Sequence, residues 1–133
     1  IVSLSYISFF IITLVHMFLG SILKDKQRRY LAKKRRTNTT IKATASLPRL
    51  LEIRSLTHIS AQIIALDGHV VAAATDRGLK WTKVEKAFAV GKLIAEIAKK
   101  NGVDAVVFDR NGRIYHGRVA QLATGAREGG LKF

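Results

Sequence analysis

Residues 106–133 read VVFDRNGRIYHGRVAQLATGAREGGLKF, and this stretch decides the fold class. The apolar run at 106–108 favours a strand, and the turn sequence Asp-Arg-Asn-Gly follows at residues 109–112. The remainder predicts a short helix that ends at Gly129 and Gly130. Apolar residues at helical spacing form the predicted inner face of that helix: Val119, Leu122, Ala123 and Ala126.

Three strand-like segments lie upstream of this stretch. Residues 49–55 and 57–66 alternate between apolar and polar side chains, and a turn at Leu56 separates them. In the first segment, Leu51 and Ile53 are expected on one face and Glu52 and Arg54 on the other. An Asp-Gly hairpin signal at residues 67–68 precedes a third strand over 70–75. The three segments predict an antiparallel meander with one covered face.

A longer helix is predicted between this meander and the last strand. Thr82 and Glu85 form a capping-box pattern, and Asn101-Gly102 is a stop signal. The apolar run 103–108 predicts a strand in the centre of the sheet, buried on both faces. The predicted fold class is therefore α/β, with a mixed sheet packed against two helices. The apolar stripe of the first helix is expected at Val84, Ala87, Phe88, Gly91, Ile94, Ala95 and Ala98.

Charge is concentrated in one segment. The chain carries 23 Lys and Arg against nine Asp and Glu, a net charge of +14, which indicates a polyanionic partner: nucleic acid or an anionic membrane surface. Residues 24–48 are predicted to be a basic arm and linker, mobile or helical only on RNA. A solvated basic run is the simpler alternative. The arm residues expected to contact RNA are Lys24, Lys26, Arg28, Arg29, Tyr30, Lys33, Lys34, Arg35 and Arg36.

Two further surfaces have side chains suited to RNA. Basic and aromatic side chains contact phosphate and stack on bases, and few carboxylates lie among them. The first set flanks the turn at Leu56, and an ordinary solvated hairpin is the alternative for it: Arg54, Ser55 and His58. The second set lies at the turn and helix start after residue 109: Arg110, Arg113, Tyr115, His116, Gly117 and Arg118. A lone histidine is more often structural, but three arginines and a tyrosine surround His116.

The sequence resembles a known family in four places. The strings FDRNGRIYHGRV and AREGGLKF closely resemble the C-terminus of the bacterial large-subunit ribosomal protein eighteen family, which binds 5S rRNA. PRLLEIRSLTHISAQII is similar to its first hairpin, VEKAFAVGKLIAEIAKKNGV to its long helix, and KDKQRRYLAKKRR to its N-terminal extension. Gly125 and Gly129 stand where the family usually has Ala, which predicts a cost of about 0.5–1 kcal/mol each.

This resemblance implies a ribonuclease-H-like ribosomal protein fold over residues 49–133, without catalytic carboxylates. It implies a structural constituent of the large ribosomal subunit, in the cytoplasm, that binds 5S rRNA and helps attach it to 23S rRNA in the central protuberance. The implied partners are 5S rRNA, 23S rRNA and neighbouring large-subunit proteins, with no small-molecule substrate.

Residues 1–23 contain no charged side chain and are long enough to span a bilayer. One interpretation is a membrane anchor on a basic adaptor protein, with the following basic run as its cytoplasmic flank. The other, which we favour, is that residues 1–16 are upstream sequence translated in frame. The only methionine is Met17, and a start there leaves a length that suits the family.

An enzymatic function is not predicted. Asp67, Asp104 and Asp109 are scattered and form no paired carboxylate site. The histidines lack metal-triad spacing, no phosphate-binding glycine loop is present, and the absence of cysteine excludes thiolate chemistry and disulfides. No metal or cofactor is expected.

Overall fold

The computed structural model describes residues 4–44 and 46–133. Within them lie three helices and one four-stranded sheet. The first three residues of the predicted apolar segment, and Ala45 of the predicted linker, lie outside the described residues. The elements in chain order are α1 (Leu4–Thr44), β1 (Arg49–Arg54), β2 (Ile59–Ile64), β3 (Val70–Thr75), α2 (Lys83–Lys100), β4 (Val107–Asp109) and α3 (Arg118–Glu128).

The sheet has the order β3-β2-β1-β4. Strands β1, β2 and β3 pair antiparallel, as predicted, with Leu50 opposite Ile63 and Ile63 opposite Ala72. Strand β4 pairs parallel to β1, which places Phe108 beside Leu50 and Asp109 beside Leu51. The mixed sheet is therefore confirmed.

The predicted central position of the last strand is wrong, because β4 lies at the edge of the sheet. Its far side is covered by the C-terminal residues instead of another strand. The Val106 N–H donates to the Lys132 carbonyl (3.1 Å), and the Lys132 N–H donates to the Asp104 carbonyl (3.0 Å). The ring of Phe133 stacks on Phe108 with centroids 5.5 Å apart. Because the C-terminal residues cover it, an apolar strand is tolerated at the edge of the sheet.

The predicted faces of β1 are also reversed. Leu50 and Glu52 are fully buried, whereas Ile53 is 38% exposed. The sequence is ambiguous here because Leu50, Leu51 and Ile53 put apolar side chains on both faces. Strand β2 behaves as predicted, with Ile59, Ala61 and Ile63 buried.

Helix α2 begins where the capping box predicts: Thr82 accepts from the Glu85 N–H, and the Glu85 side chain accepts from the Thr82 N–H. It ends at Asn101, and Gly102 has a positive φ of 78°. The inner face of α3 is confirmed, with all four predicted residues fully buried. On α2 the predicted stripe is buried except that Phe88 is only partly buried and Val84 is 46% exposed, and Val90 takes a fully buried position.

Two glycines bring α2 and α3 together. A Cβ at Gly91 would collide with the Leu122 carbonyl oxygen, and a Cβ at Gly125 would collide with the Phe88 carbonyl oxygen. Gly125 is thus required by packing, although its position inside a helix costs stability.

Contacts divide the chain into two units, 1–33 and 34–133. In the first, helix α1 contains an apolar stretch with a mean hydropathy of 2.0, none of it buried. By length and composition α1 could cross a membrane. The helix continues through the basic segment to Thr44, so the predicted linker begins after that residue.

Candidate nucleic-acid interface

Both predicted surfaces of the domain lie at the same edge of the sheet, the one formed by the ends of its strands. The strand pairing puts the carboxyl ends of β1, β3 and β4 and the amino end of β2 on the same edge. The β1–β2 turn and the turn after β4 therefore meet, and an Arg113 Nη2 donates to the Arg54 carbonyl oxygen (3.2 Å). We call this surface the basic edge, defined by the turn residues Arg54, Ser55 and His58 and by residues 110–118.

A buried carboxylate lies beneath the arginines of the basic edge. Glu52 is fully buried, and burial raises its pKa, while the charges of Arg54, Arg113 and Arg118 act in the opposite direction. Burial and the neighbouring Arg54 lower the pKa of Arg118. These mutual effects identify three guanidinium groups and one carboxylate as a single electrostatic cluster.

His58 is held by a second buried carboxylate. Its Nδ1 lies 3.0 Å from an oxygen of Asp76, which is 2% exposed and also accepts from the Ile59 N–H (3.2 Å). Ser55 orders the same turn, because its hydroxyl accepts from the His58 N–H (3.0 Å). The ring of His58 therefore reaches the surface in a fixed orientation.

The turn after β4 is built on Asp109, a third buried carboxylate. Asp109 accepts from the Asn111 N–H (2.9 Å) and from Arg49 Nη1 (3.3 Å). Asn111 adopts a positive φ of 56°, which asparagine tolerates better than most residues. The backbone of Lys34 approaches Gly112 so closely that a Cβ there would lie 3.0 Å from it. Lys34 of the predicted arm therefore packs against this turn.

The aromatic residue predicted to stack on a base also has contacts within the protein. The Tyr115 hydroxyl accepts from Arg127 Nη1 (3.0 Å), and its ring meets Phe108 edge-on at a centroid distance of 5.9 Å. Arg127 lies over the Phe133 ring at 4.5 Å. Tyr115 remains 44% exposed, so part of its surface is available to a ligand.

The remaining residues of the basic edge lie at its outer rim. Arg110 donates from Nη1 to the Arg113 carbonyl oxygen (3.1 Å), and His116 is exposed. Gly117 is the N-cap of α3 with a φ of 57° and no side-chain cap. That positive φ accounts for a glycine at this position.

Comparison with known proteins matches residues 24–133 to a family model described as ribosomal L18 of archaea, bacteria, mitochondria and chloroplast. The chain belongs to the ribosomal L18 family. The large ribosomal subunit protein uL18 of Chloroherpeton thalassium is 52% identical over 107 residues, covering 75% of this chain and 89% of that protein. The uL18 of Lactococcus lactis subsp. lactis is 50% identical over 110 residues, covering 82% and 96%. This L18-family chain is therefore a structural protein of the large subunit and works in the ribosome, in the cytoplasm.

In this L18-family protein the predicted arm residues lie on α1, most of them exposed. Residues three and four apart on a helix share a face. One such row consists of Lys26, Arg29, Lys33 and Arg36. Arg28 pairs with Asp25 on the surface (2.9 Å), and Tyr30 is half-buried.

Sequence reasoning missed the buried acids that support the interface. Glu52 and Asp76 were not predicted as site residues, and Asp109 was considered only as a possible catalytic acid. A glutamate between apolar neighbours, two residues before an Arg-Ser turn, is the signal that was available for Glu52. Within residues 4–44 and 46–133, no group of three or more His, Cys, Asp or Glu side chains could hold a metal ion.

Proposed function

We propose that this protein binds 5S rRNA and helps attach it to 23S rRNA in the central protuberance of the large subunit. The observation that carries the proposal is the basic edge, where Arg113 donates to the Arg54 carbonyl oxygen and the charges of Arg54, Arg113 and Arg118 all act on the buried Glu52. Membership of the L18 family supports ribosomal RNA as the polyanion.

The arrangement suits contact with a folded RNA backbone. Guanidinium groups donate two parallel hydrogen bonds to a phosphate, and the protein here fixes the position of Arg113 through the Arg54 carbonyl. His58 and the exposed part of Tyr115 add a hydrogen-bonding and a stacking group beside them. The edge can therefore hold one RNA segment in a defined register.

Helix α1 supplies the second part of the proposed RNA contact. Residues 24–44 act as the basic arm of this function, and residues 49–133 act as its globular domain. The arm row of Lys26, Arg29, Lys33 and Arg36 adds phosphate contacts that depend little on sequence. The first 16 residues contribute nothing to RNA binding. The match to the family from residue 24 supports this division.

The proposed fold relationship is to the ribonuclease-H-like arrangement of ribosomal proteins. Support comes from the order β3-β2-β1-β4, with an antiparallel meander and a parallel fourth strand. Glu52 and Asp109 lie on opposite faces of this sheet, because Asp109 pairs with Leu51. They are not placed as a paired carboxylate site.

The test is a titration of the full-length protein with 5S rRNA and with an unrelated RNA of equal length, in nonionic detergent. Stronger binding to 5S rRNA is expected, with a log–log salt slope that reports several phosphate contacts at about 0.9 each on duplex. Lys100→Ala is a suitable control, because this exposed lysine directly precedes Asn101, whose side chain donates to the Val71 carbonyl at the opposite edge of the sheet. Equal affinity for both RNAs would contradict the proposal.

The apolar stretch of α1 favours a second candidate function, a membrane-anchored basic adaptor. Sedimentation of the native protein separates the two. Travel with large ribosomal subunits supports 5S rRNA attachment, and travel with membranes in the absence of subunits supports the anchor.

A further inference from the structure

Three buried carboxylates lie beneath the basic edge, and Glu52 is the one among them that accepts no hydrogen bond from the described residues. Asp76 and Asp109 each accept from a backbone N–H and a basic side chain. Glu52 is fully buried on the core face of β1, and neither of its oxygens has a hydrogen-bond partner among the described residues. A buried carboxyl group without such partners destabilises a fold. Packing alone therefore gives no reason for a glutamate at this position.

The charged groups that act on Glu52 come from several segments of the chain. Arg54 follows it on β1, Arg113 lies in the turn after β4, and Arg118 begins α3. Asp109 at the end of β4 is the one acid among them. Three positive charges from three separate segments thus act on a single buried carboxyl group.

We propose that Glu52 is a positioning residue that holds Arg54, Arg113 and Arg118 together as one phosphate-binding group of the proposed 5S rRNA interface. Three guanidiniums in a small volume repel one another, and an anion below them offsets that repulsion. Each guanidinium has five N–H donors, so it can be attracted inward by a carboxylate and still donate outward to phosphate. Glu52 itself, being buried, does not touch RNA.

This inference rests on the proposed function and makes an unusual prediction for Glu52→Gln. The substitution keeps the shape of the side chain and removes the charge. Removing a negative charge would strengthen RNA binding if only net charge mattered. If Glu52 positions the arginines, affinity for 5S rRNA falls about tenfold, in the range seen when a residue that orients a ligand-binding group is lost.

The experiment compares full-length wild type, Glu52→Gln and Glu96→Gln in 5S rRNA titrations and in thermal unfolding. Glu96→Gln makes the same charge change on the exposed surface of α2, beside Lys100, and should leave affinity unchanged or slightly higher. For Glu52→Gln we expect weaker RNA binding together with an unchanged or higher melting temperature. Affinity equal to or above wild type would overturn the proposal. So would an unfolded or strongly destabilised variant, since that result makes Glu52 structural.

A double-mutant cycle with Arg118→Ala tests whether Glu52 acts through the arginines. In the Arg118→Ala background, Glu52→Gln should cost much less affinity than it costs in the wild type. Fully additive losses would contradict a positioning role.

A measurement without RNA keeps this inference separate from the proposed function. The arginine Nε–H resonances of ¹⁵N-labelled protein should exchange faster with water in Glu52→Gln than in Glu96→Gln, because the cluster is less ordered. If wild type shows no preference for 5S rRNA, the proposed function fails, whereas the resonance comparison still decides the role of Glu52. Identical exchange rates in the two variants would reject the positioning role of Glu52.

Discussion

On the basic edge, the charges of Arg54, Arg113 and Arg118 act on one buried carboxyl group, whereas on α1 the single acidic residue, Asp25, pairs with Arg28 at the surface. The edge cations come from segments far apart in sequence and are fixed by the fold. The α1 cations are neighbours on one helix, and most of their side chains are exposed. Both regions are rich in basic residues and poor in acidic ones, so the sign of their charge does not distinguish them.

The difference lies in how much freedom each set loses when it binds RNA. An exposed lysine or arginine loses considerable side-chain entropy when a phosphate immobilises it. A guanidinium that the protein already holds, like Arg113 at the Arg54 carbonyl, has lost part of that freedom on folding. The edge is therefore expected to determine which RNA structure is bound, and α1 to add affinity that varies with salt.

The largest expected effect comes from paired substitutions in the two regions. Arg54→Ala with Arg118→Ala should weaken 5S rRNA binding about a hundredfold, since a hydrogen bond to a charged group contributes about 1.5–3 kcal/mol. Lys26→Ala with Arg29→Ala removes the same charge from α1 and should have a much smaller effect. Filter binding at one salt concentration measures both. Equal losses would show that the two regions do not differ.

Gly125→Ala tests whether the edge depends on the close contact of α2 and α3. A Cβ there collides with the Phe88 carbonyl oxygen, so the unfolding free energy should fall by about 2 kcal/mol. Propensity alone predicts the opposite sign, because alanine favours helix over glycine. Gly20→Ala on α1 is the control, since a Cβ there meets nothing within 4 Å. Chemical denaturation measures both variants, and a more stable Gly125→Ala would reject the packing argument.

Local patterns in the sequence predicted most of the fold. The capping box at Thr82, the inner face of α3 and the buried face of β2 are confirmed because each depends on neighbours a few residues apart. The errors arose where distant residues decide. Strand β4 lies at the edge of the sheet, where the C-terminal residues cover its far side, and the face of β1 that meets the core carries Leu50 and Glu52 instead of Ile53.

The site was predicted as separate surfaces for the same reason. Arg54 and Arg113 are 59 residues apart, and only the parallel pairing of β1 with β4 brings them together. The residue types were recognisable from charge and turn chemistry. The carboxylates that support them were not recognised, because alternation along β1 left open which of its two faces is buried. The RNA contacts themselves stay a prediction.

Substitutions on α1 should affect RNA binding less, and their effect should appear mainly in the salt dependence of the affinity. Replacing Lys26, Arg29, Lys33 and Arg36 by Gln removes one helical row of charge. The slope of log affinity against log salt should flatten by about 0.9 for each lost phosphate contact on duplex. Titrations at several potassium concentrations measure it, with Lys99→Gln and Lys100→Gln as controls on α2. An unchanged slope would show that this row does not engage phosphate.

The pH dependence of stability tests the buried carboxyl group of the basic edge in the absence of RNA. Burial raises the pKa of Glu52 above its ordinary value of 4.5, so the folded state holds that proton more tightly than the unfolded state. The contribution of Glu52 to stability is therefore fully present below pH 4.5 and is lost as pH rises through the raised pKa. As the pH rises through the raised pKa of Glu52, the melting temperatures of wild type and Glu52→Gln should diverge, and the variant should be the more stable protein at the higher pH. Parallel curves would mean that Glu52 keeps an ordinary pKa.

The smallest effect on RNA binding is expected from removing residues 1–16. A protein that begins at Met17 should bind 5S rRNA as the full chain does, because the core, the basic edge and the basic part of α1 all lie after that residue. It should also need less detergent, since exposed apolar side chains such as Phe9 and Phe10, 73% and 68% exposed, are gone. Titration and size-exclusion chromatography compare the two chains. If the shortened protein fails to fold while the full chain folds in aqueous buffer, the apolar segment belongs to the domain, and the proposal that it is dispensable for RNA binding is wrong.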